Sequence, residues 1–160
     1  MRALLALALM AAPAWAQDPP PFDPAPVLAC LEEDGQDCPG LAAAACMEGP
    51  GGSSTYGMSY CLGQELDFWD ARLNEAYGRV GEQADAADAE QDRLGYQAPQ
   101  QRPALRDMQR AWIALRDASC SYEASRWGGG TGAGPAYAEC ALSLTARQAM
   151  LLDGYLREGP

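Results

Sequence analysis

The chain has 160 residues, with 22 acids, 11 arginines, no lysine and no histidine, and a formal net charge of −11. Without histidine it lacks the usual general base near neutral pH and the commonest zinc ligand, and its negative charge argues against nucleic acid or anionic membrane as a partner. Six cysteines, Cys30, Cys38, Cys46, Cys61, Cys120 and Cys140, all follow an N-terminal export signal, so they read as a disulfide framework rather than as metal ligands or nucleophiles.

The signal consists of Arg2, an apolar run over residues 3–12, Pro13 and the small-residue site Ala14-Trp15-Ala16, with cleavage expected after Ala16. That run is too short to cross a bilayer, which takes about 20 apolar residues, and nothing later approaches this length. A soluble protein of the periplasm or the medium is therefore expected, without membrane insertion. Val27-Leu28-Ala29-Cys30 has some character of a lipid-attachment box, but Asp18, Asp23 and five prolines separate it from the signal. Removing residues 1–16 leaves 10 arginines against 22 acids, a net charge of −12 over 144 residues. Such a surface attracts cationic proteins, and it equally serves solubility alone.

Residues 17–26 form a proline-rich leader (Pro19, Pro20, Pro21, Pro24, Pro26) expected to be extended and mobile. Residues 27–160 are expected to form a single helical domain, a size that buries roughly two-thirds of its unfolded surface. Two short helical segments come first, over residues 27–33 and 40–47, close enough for Cys30 and Cys38 to staple them as a hairpin. The break Gly49-Pro50-Gly51-Gly52-Ser53-Ser54 then ends any helix.

Beyond it Leu62, Leu66, Trp69, Leu73, Ala76 and Val80 recur in steps of four and three, which predicts a helix over residues 56–83 with Ser54 or Thr55 as its N-cap. Residues 84–101, acidic and then polar, read as a connector with at most a helical turn. A second stripe of Leu105, Met108, Trp112, Leu115, Ser119 and Tyr122 follows Pro103, a residue suited to a first helical turn. A third, of Tyr137, Ala141, Leu144, Leu151 and Tyr155, starts near Pro135. With no sustained period-two alternation, the fold class is all-α: an antiparallel bundle of three long helices with a short N-terminal helical hairpin, stapled by disulfides.

Three motifs lie on and beside these stripes. Cys61 and Glu65 precede Asp70-Ala71-Arg72-Leu73-Asn74-Glu75-Ala76-Tyr77; the run from Gln109 through Trp112, Leu115, Arg116 and Asp117 ends at Cys120; and Cys140 precedes Thr145-Ala146-Arg147 and Leu151. Over residues 46–156 the chain resembles the N-terminal domain of the LprI-like lysozyme inhibitors of bacterial envelopes. The resemblance implies an all-helical exported domain whose named activity is inhibition of lysozyme. It leaves the segment before Cys46 outside its reach.

Asp70, Asn74, Gln109, Arg116 and Arg147 sit beside core positions, where an unpaired charge is costly, so they are expected to form an interhelical polar network in which Arg116 presents its fork to a carboxylate such as Asp70. Cys120 and Cys140 flank the loop at 128–134, Cys46 and Cys61 flank the other glycine-rich loop, and Cys30 and Cys38 remain as a pair. Closing a loop of about 15 residues is worth roughly 3 kcal/mol in the chain-entropy model. The two tethered loops, residues 49–54 and 127–134 with Trp127 at the start of the second, and Gly129, Gly130, Thr131 and Gly132 in particular, are the candidate partner-binding elements; a plain flexible connection is the competing reading.

The acidic run Asp85, Asp88, Glu90 and Asp92 lacks the spacing and turn glycine of a calcium loop and reads as a solvated face or a contact for a cationic protein. No pair of carboxylates is marked out for glycoside cleavage. The sequence thus describes a protein-binding module that is not an enzyme and carries no metal or cofactor. A cationic protein such as lysozyme is the first partner to consider, and a structural or assembly role in the envelope is the alternative.

Overall fold

The computed structural model describes residues 18–158, so the expected signal segment lies outside the described residues. Among these the chain forms five helices and no strand: α1 (Ala25–Glu32), α2 (Leu41–Met47), α3 (Thr55–Leu94), α4 (Gln101–Ser125) and α5 (Ala133–Glu158). The three long helices run up, down and up. Helix α3 packs against α2, α4 and α5, while α1 packs on α2. The proline-rich leader is not a free tail: Pro20 is buried, and Phe22 packs on the hydrophobic core.

Helix α3 starts where Ser54 Oγ accepts a hydrogen bond from Gly57 N at 3.0 Å. It continues well past residue 83, because the supposed connector is rich in alanine and acidic residues that favour or tolerate helix, with no glycine or proline until Gly95. There the chain turns through a left-handed residue at φ 71°, and Gly95 N and Tyr96 N donate to Asp92 O and Gln91 O. These paired bonds close the helix end on a residue type that adopts this conformation without strain. The 40-residue helix is about 60 Å long and forms the spine of the molecule.

Its apolar stripe faces inward as its periodicity predicts, with Trp69, Leu73 and Ala76 almost fully buried. In α4 the first half of the expected stripe holds, with Leu105 buried and Met108 and Trp112 packed on the core, whereas its second half and much of the α5 stripe are rotated from expectation. Leu115 and Tyr122 of α4 lie at the surface, and the buried side holds Leu105, Gln109 and Cys120. In α5, Tyr137, Leu151 and Tyr155 are exposed, whereas Ala141, Leu142, Thr145, Ala146, Gln148, Ala149 and Leu152 are buried. Small residues at this face let α5 approach the spine closely enough for the large Trp69 ring to fill the space between elements, so bulk is displaced to the rim.

One buried carboxylate organises the N-terminal half. Glu65, wholly inaccessible to solvent, accepts bonds from Gly40 N at 2.6 Å, Ala43 N at 2.7 Å and Trp69 Nε1 at 2.9 Å. Helix α2 has no side-chain cap of its own. Glu65 therefore supplies the acceptors that its first turn lacks, and its negative charge faces the positive end of the helix. Asp88 repeats the device further along the spine, accepting from Gln101 N at 2.6 Å and Arg102 N at 2.9 Å at the start of α4, which also lacks a local cap. Arg102 then lies over the Tyr77 ring, 5.6 Å from its centroid.

Disulfides join Cys30 to Cys38, Cys46 to Cys61 and Cys120 to Cys140. The second ties the end of α2 to the first turns of α3, around a loop packed backbone against backbone. A methyl group on Gly57 would collide with the Gly51 carbonyl oxygen and the Gly52 backbone.

Glu65→Ala leaves two buried donors and a half-buried one without an acceptor, each buried donor costing about 1–3 kcal/mol, so a loss of about 3 kcal/mol in urea-unfolding free energy is expected. Glu65→Gln, which turns an amide N–H₂ toward some of the same donors, should lose less. An alanine variant as stable as the parent would show that α2 is held by other means. Gly57→Ala should destabilise by about 1–3 kcal/mol through overpacking, opposite in sign to the gain of about 1 kcal/mol that alanine brings to an unobstructed helix. An unchanged or raised urea midpoint would refute this close approach.

Candidate functional site

The up-down-up order brings both glycine-rich loops to one end of the bundle. Residues 49–54 lead directly into α3, and residues 126–132 join α4 to α5, whose Gly134 faces Ser59 of α3. The Cys46–Cys61 and Cys120–Cys140 bridges tie the bases of these loops.

The second loop is a chain of tight turns. Trp127 N, Gly128 N, Gly130 N and Ala133 N donate in succession to Ala124 O, Ser125 O, Trp127 O and Gly130 O. The Trp127 ring lies against Gly132 so closely that a Cβ there would enter the ring. Of the four positions singled out in the sequence, Gly129, Gly130 and Thr131 are exposed, and Gly132 is half-buried. A flexible glycine run is thereby folded onto an aromatic ring that remains 58% exposed.

An open cavity of about 880 Å³ adjoins this loop, formed by Met58 of α3, Glu123 and Arg126 at the end of α4, Trp127, and Pro135, Ala136 and Glu139 of α5. Arg126 is paired with Glu123 at 2.8 Å, whereas Glu139 has no hydrogen-bond or ion-pair partner among the described residues. On the first turns of α3, Tyr56 is 59% exposed and stacks on Tyr60 with ring centroids 6.4 Å apart. Glycine content pointed to this end of the molecule. Of the side chains with binding chemistry here, Trp127 belongs to the loop singled out in the sequence, whereas Tyr56, Glu123 and Glu139 come from the flanking helices.

The five expected network residues are not brought together. Asp70 and Asn74 bond each other at 2.9 Å on one exposed side of α3. Gln109 accepts from Gln148 at 3.1 Å in a buried α4–α5 contact. Arg116 pairs with its neighbour Asp117, at 2.8 Å, and lies 5.0 Å from the centroid of the Trp112 ring; it does not reach Asp70. Arg147 is exposed. The rotation of α4 explains the difference, since Arg116 needs only its own helix to find a carboxylate and an aromatic face. The ion pair between α3 and α5 is instead Arg72 with Asp153, at 3.2 Å.

The acidic run of the spine is largely occupied by local work. Asp88 caps α4, Asp85 lies 3.7 Å from Arg102, Asp92 accepts from Gln100, and Glu90 bonds Arg93. The Arg93 bonds hold the exposed Glu90 carboxyl below its ordinary pKa. A second cavity, of about 560 Å³, lies at this far end between Val80, Ala84, Ala87, Leu105 and Tyr155 and is mainly apolar. Among the described residues no group of three or more His, Cys, Asp or Glu side chains could hold a metal ion, and no helix is long and apolar enough to cross a membrane. Three disulfides fit an oxidising compartment outside the cytoplasm.

Gly132→Ala should push the Trp127 ring off the loop. In ¹H–¹⁵N spectra the Trp127 indole resonance is expected to move while that of Trp69, in the core, stays in place. An unmoved Trp127 resonance would mean that the ring does not rest on Gly132.

A family model described as lysozyme inhibitor LprI matches residues 46–152, the span from the first cysteine of the loop-end framework to the last buried leucine of α5. No match was found among curated proteins or among solved structures.

Proposed function

The chain belongs to the LprI lysozyme-inhibitor family, and on that premise we propose that it is a periplasmic or secreted, non-catalytic module that binds and inhibits a lysozyme through the loop end of its bundle. The observation that carries the reading is the convergence of two disulfide-tethered loops on one end, where an exposed tryptophan stands on a folded glycine turn. Tryptophan is the residue type most often found to dominate binding energy at protein interfaces, and a tethered, hydrogen-bonded loop loses little freedom on docking.

The net charge serves the same purpose at longer range. An acidic protein speeds its encounter with a cationic enzyme and orients the approach, while the contact at the loop end sets the residence time. The acidic residues of the spine at 85–92, read from the sequence as a solvated face or a contact for a cationic protein, are tied into caps and local pairs and are less suited to such a contact.

The test is a titration of oxidised protein against a vertebrate-type lysozyme, following cell-wall lysis at about 0.15 M salt, where the Debye length is about 8 Å. Cytochrome c serves as the control for charge-driven binding. Saturable inhibition is expected, with Trp127→Ala weakening it about 30-fold, as removal of a contact worth about 2 kcal/mol would. Full lysozyme activity at saturating protein would overturn the reading. Inhibition unaffected by Trp127→Ala would remove the loop end from it.

A further inference from the structure

The cavity beside Trp127 has a composition that favours one kind of side chain. One wall is the exposed indole, the floor is apolar where Met58 and Pro135 line it, and carboxylates stand at Glu123 and Glu139. Arg126 engages Glu123 at 2.8 Å, so the charge left without a partner at this cavity is Glu139. Its volume of about 880 Å³ lies within the range of about 300–1,000 Å³ typical of ligand sites.

We propose that this cavity is a receptor for an arginine side chain of the partner protein, with the guanidinium between the Trp127 ring and the Glu139 carboxylate. The match has three parts. A planar guanidinium stacks on an indole face and is attracted by its electron-rich centre. Its long stem covers apolar surface such as that of Met58 and Pro135 while the charged head stays at the open edge. A carboxylate can accept two parallel N–H bonds from one guanidinium, a geometry that neither ammonium nor a neutral urea group reproduces at full strength. Glu139 lies one residue before Cys140, whose bridge to Cys120 fixes this turn of α5 against α4. Cavity and loop are thus held by the same link.

This inference rests on the reading of the loop end as the partner-binding face, and it specifies what that face recognises. Its test uses the full oxidised chain and a small probe, Nα-acetyl-arginine amide, with the citrulline analogue as an uncharged control of the same shape. Titration followed by ¹H–¹⁵N spectra should give saturable shifts at the Trp127 indole and the Glu139 amide with the arginine probe, and at least about fivefold weaker binding of the citrulline probe. Glu139→Gln should weaken the arginine probe by a similar factor while leaving the unfolding midpoint unchanged, because the exposed Glu139 carboxylate bonds to none of the described residues.

Equal binding of the two probes, or shifts indifferent to Glu139→Gln, would overturn the proposal. The same variant in the lysozyme assay separates the two readings. Arginine-selective binding at Trp127 without lysozyme inhibition would leave the receptor site standing and remove lysozyme as the target. Inhibition equal for the parent and Glu139→Gln, with no discrimination between the probes, would leave the inhibitor and remove the site.

Discussion

The fold depends on a carboxylate that water does not reach. Glu65 sits on the spine helix beneath α2 and accepts from two backbone N–H groups and from the indole of Trp69, itself fully buried. A charge so placed would be prohibitive if it were alone, and it is tolerated because three donors and the start of a helix face it. The arrangement couples elements that share little else. Helix α2 is only seven residues long and could not hold its shape unaided. With its first turn bonded to Glu65 and its last residues bridged through Cys46 to Cys61, it is fixed at both ends to the same helix.

Asp88 shows that this is a construction rule for the molecule. It faces the start of α4 as Glu65 faces the start of α2, with both partners again backbone N–H groups. The spine therefore positions its neighbours by their N-termini, points where direction and register are both defined. Once α4 begins opposite Asp88, its 25 residues carry it back along the spine to the end where α3 started, and Cys120 reaches Cys140 there. The two loops meet at one end because of this placement, with their tethers already set by the disulfides.

The sequence disclosed the periodic parts and concealed the reciprocal ones. The stripe of α3 was readable because a long helix buried on one side repeats its signal over many turns, from Leu62 to Val80. Helices α4 and α5 were found as helices, and Leu105, Met108 and Trp112 of α4 face the core as expected, but the second half of α4 and much of α5 bury other residues. Large side chains such as Leu115, Tyr122, Leu151 and Tyr155 were taken to mark the core, whereas close packing on the spine favoured alanine and threonine at Ala141, Thr145, Ala146 and Ala149. Glu65 and Asp88 gave no local sign of their capping function, since the N–H groups they cap are backbone groups 13 to 25 residues away that every sequence possesses, and the Trp69 indole four residues from Glu65 is its one local partner. The candidate site was half legible: glycine spacing located the loop, while Glu139, a helical turn beyond it, became significant only through the shared cavity.

The two ends of the bundle now differ in a way that bears on recognition. At the far end the acids of the run at 85–92 are engaged in caps and pairs, and the cavity there is mainly apolar. The loop end combines an exposed aromatic ring, a carboxylate without a partner and a backbone made rigid by turns and disulfides. Net charge can draw a cationic partner toward either end, because long-range fields act on the whole molecule and are screened over about 8 Å at physiological salt. Short-range discrimination requires groups that are both free and held in place. An unpaired carboxylate on a mobile chain would forfeit much of its gain in ordering, and a rigid surface whose charges are already paired would have little to offer. The loop end meets both conditions, so rigidity together with unspent charge, rather than acidity as such, is what supports it as the proposed partner-binding face.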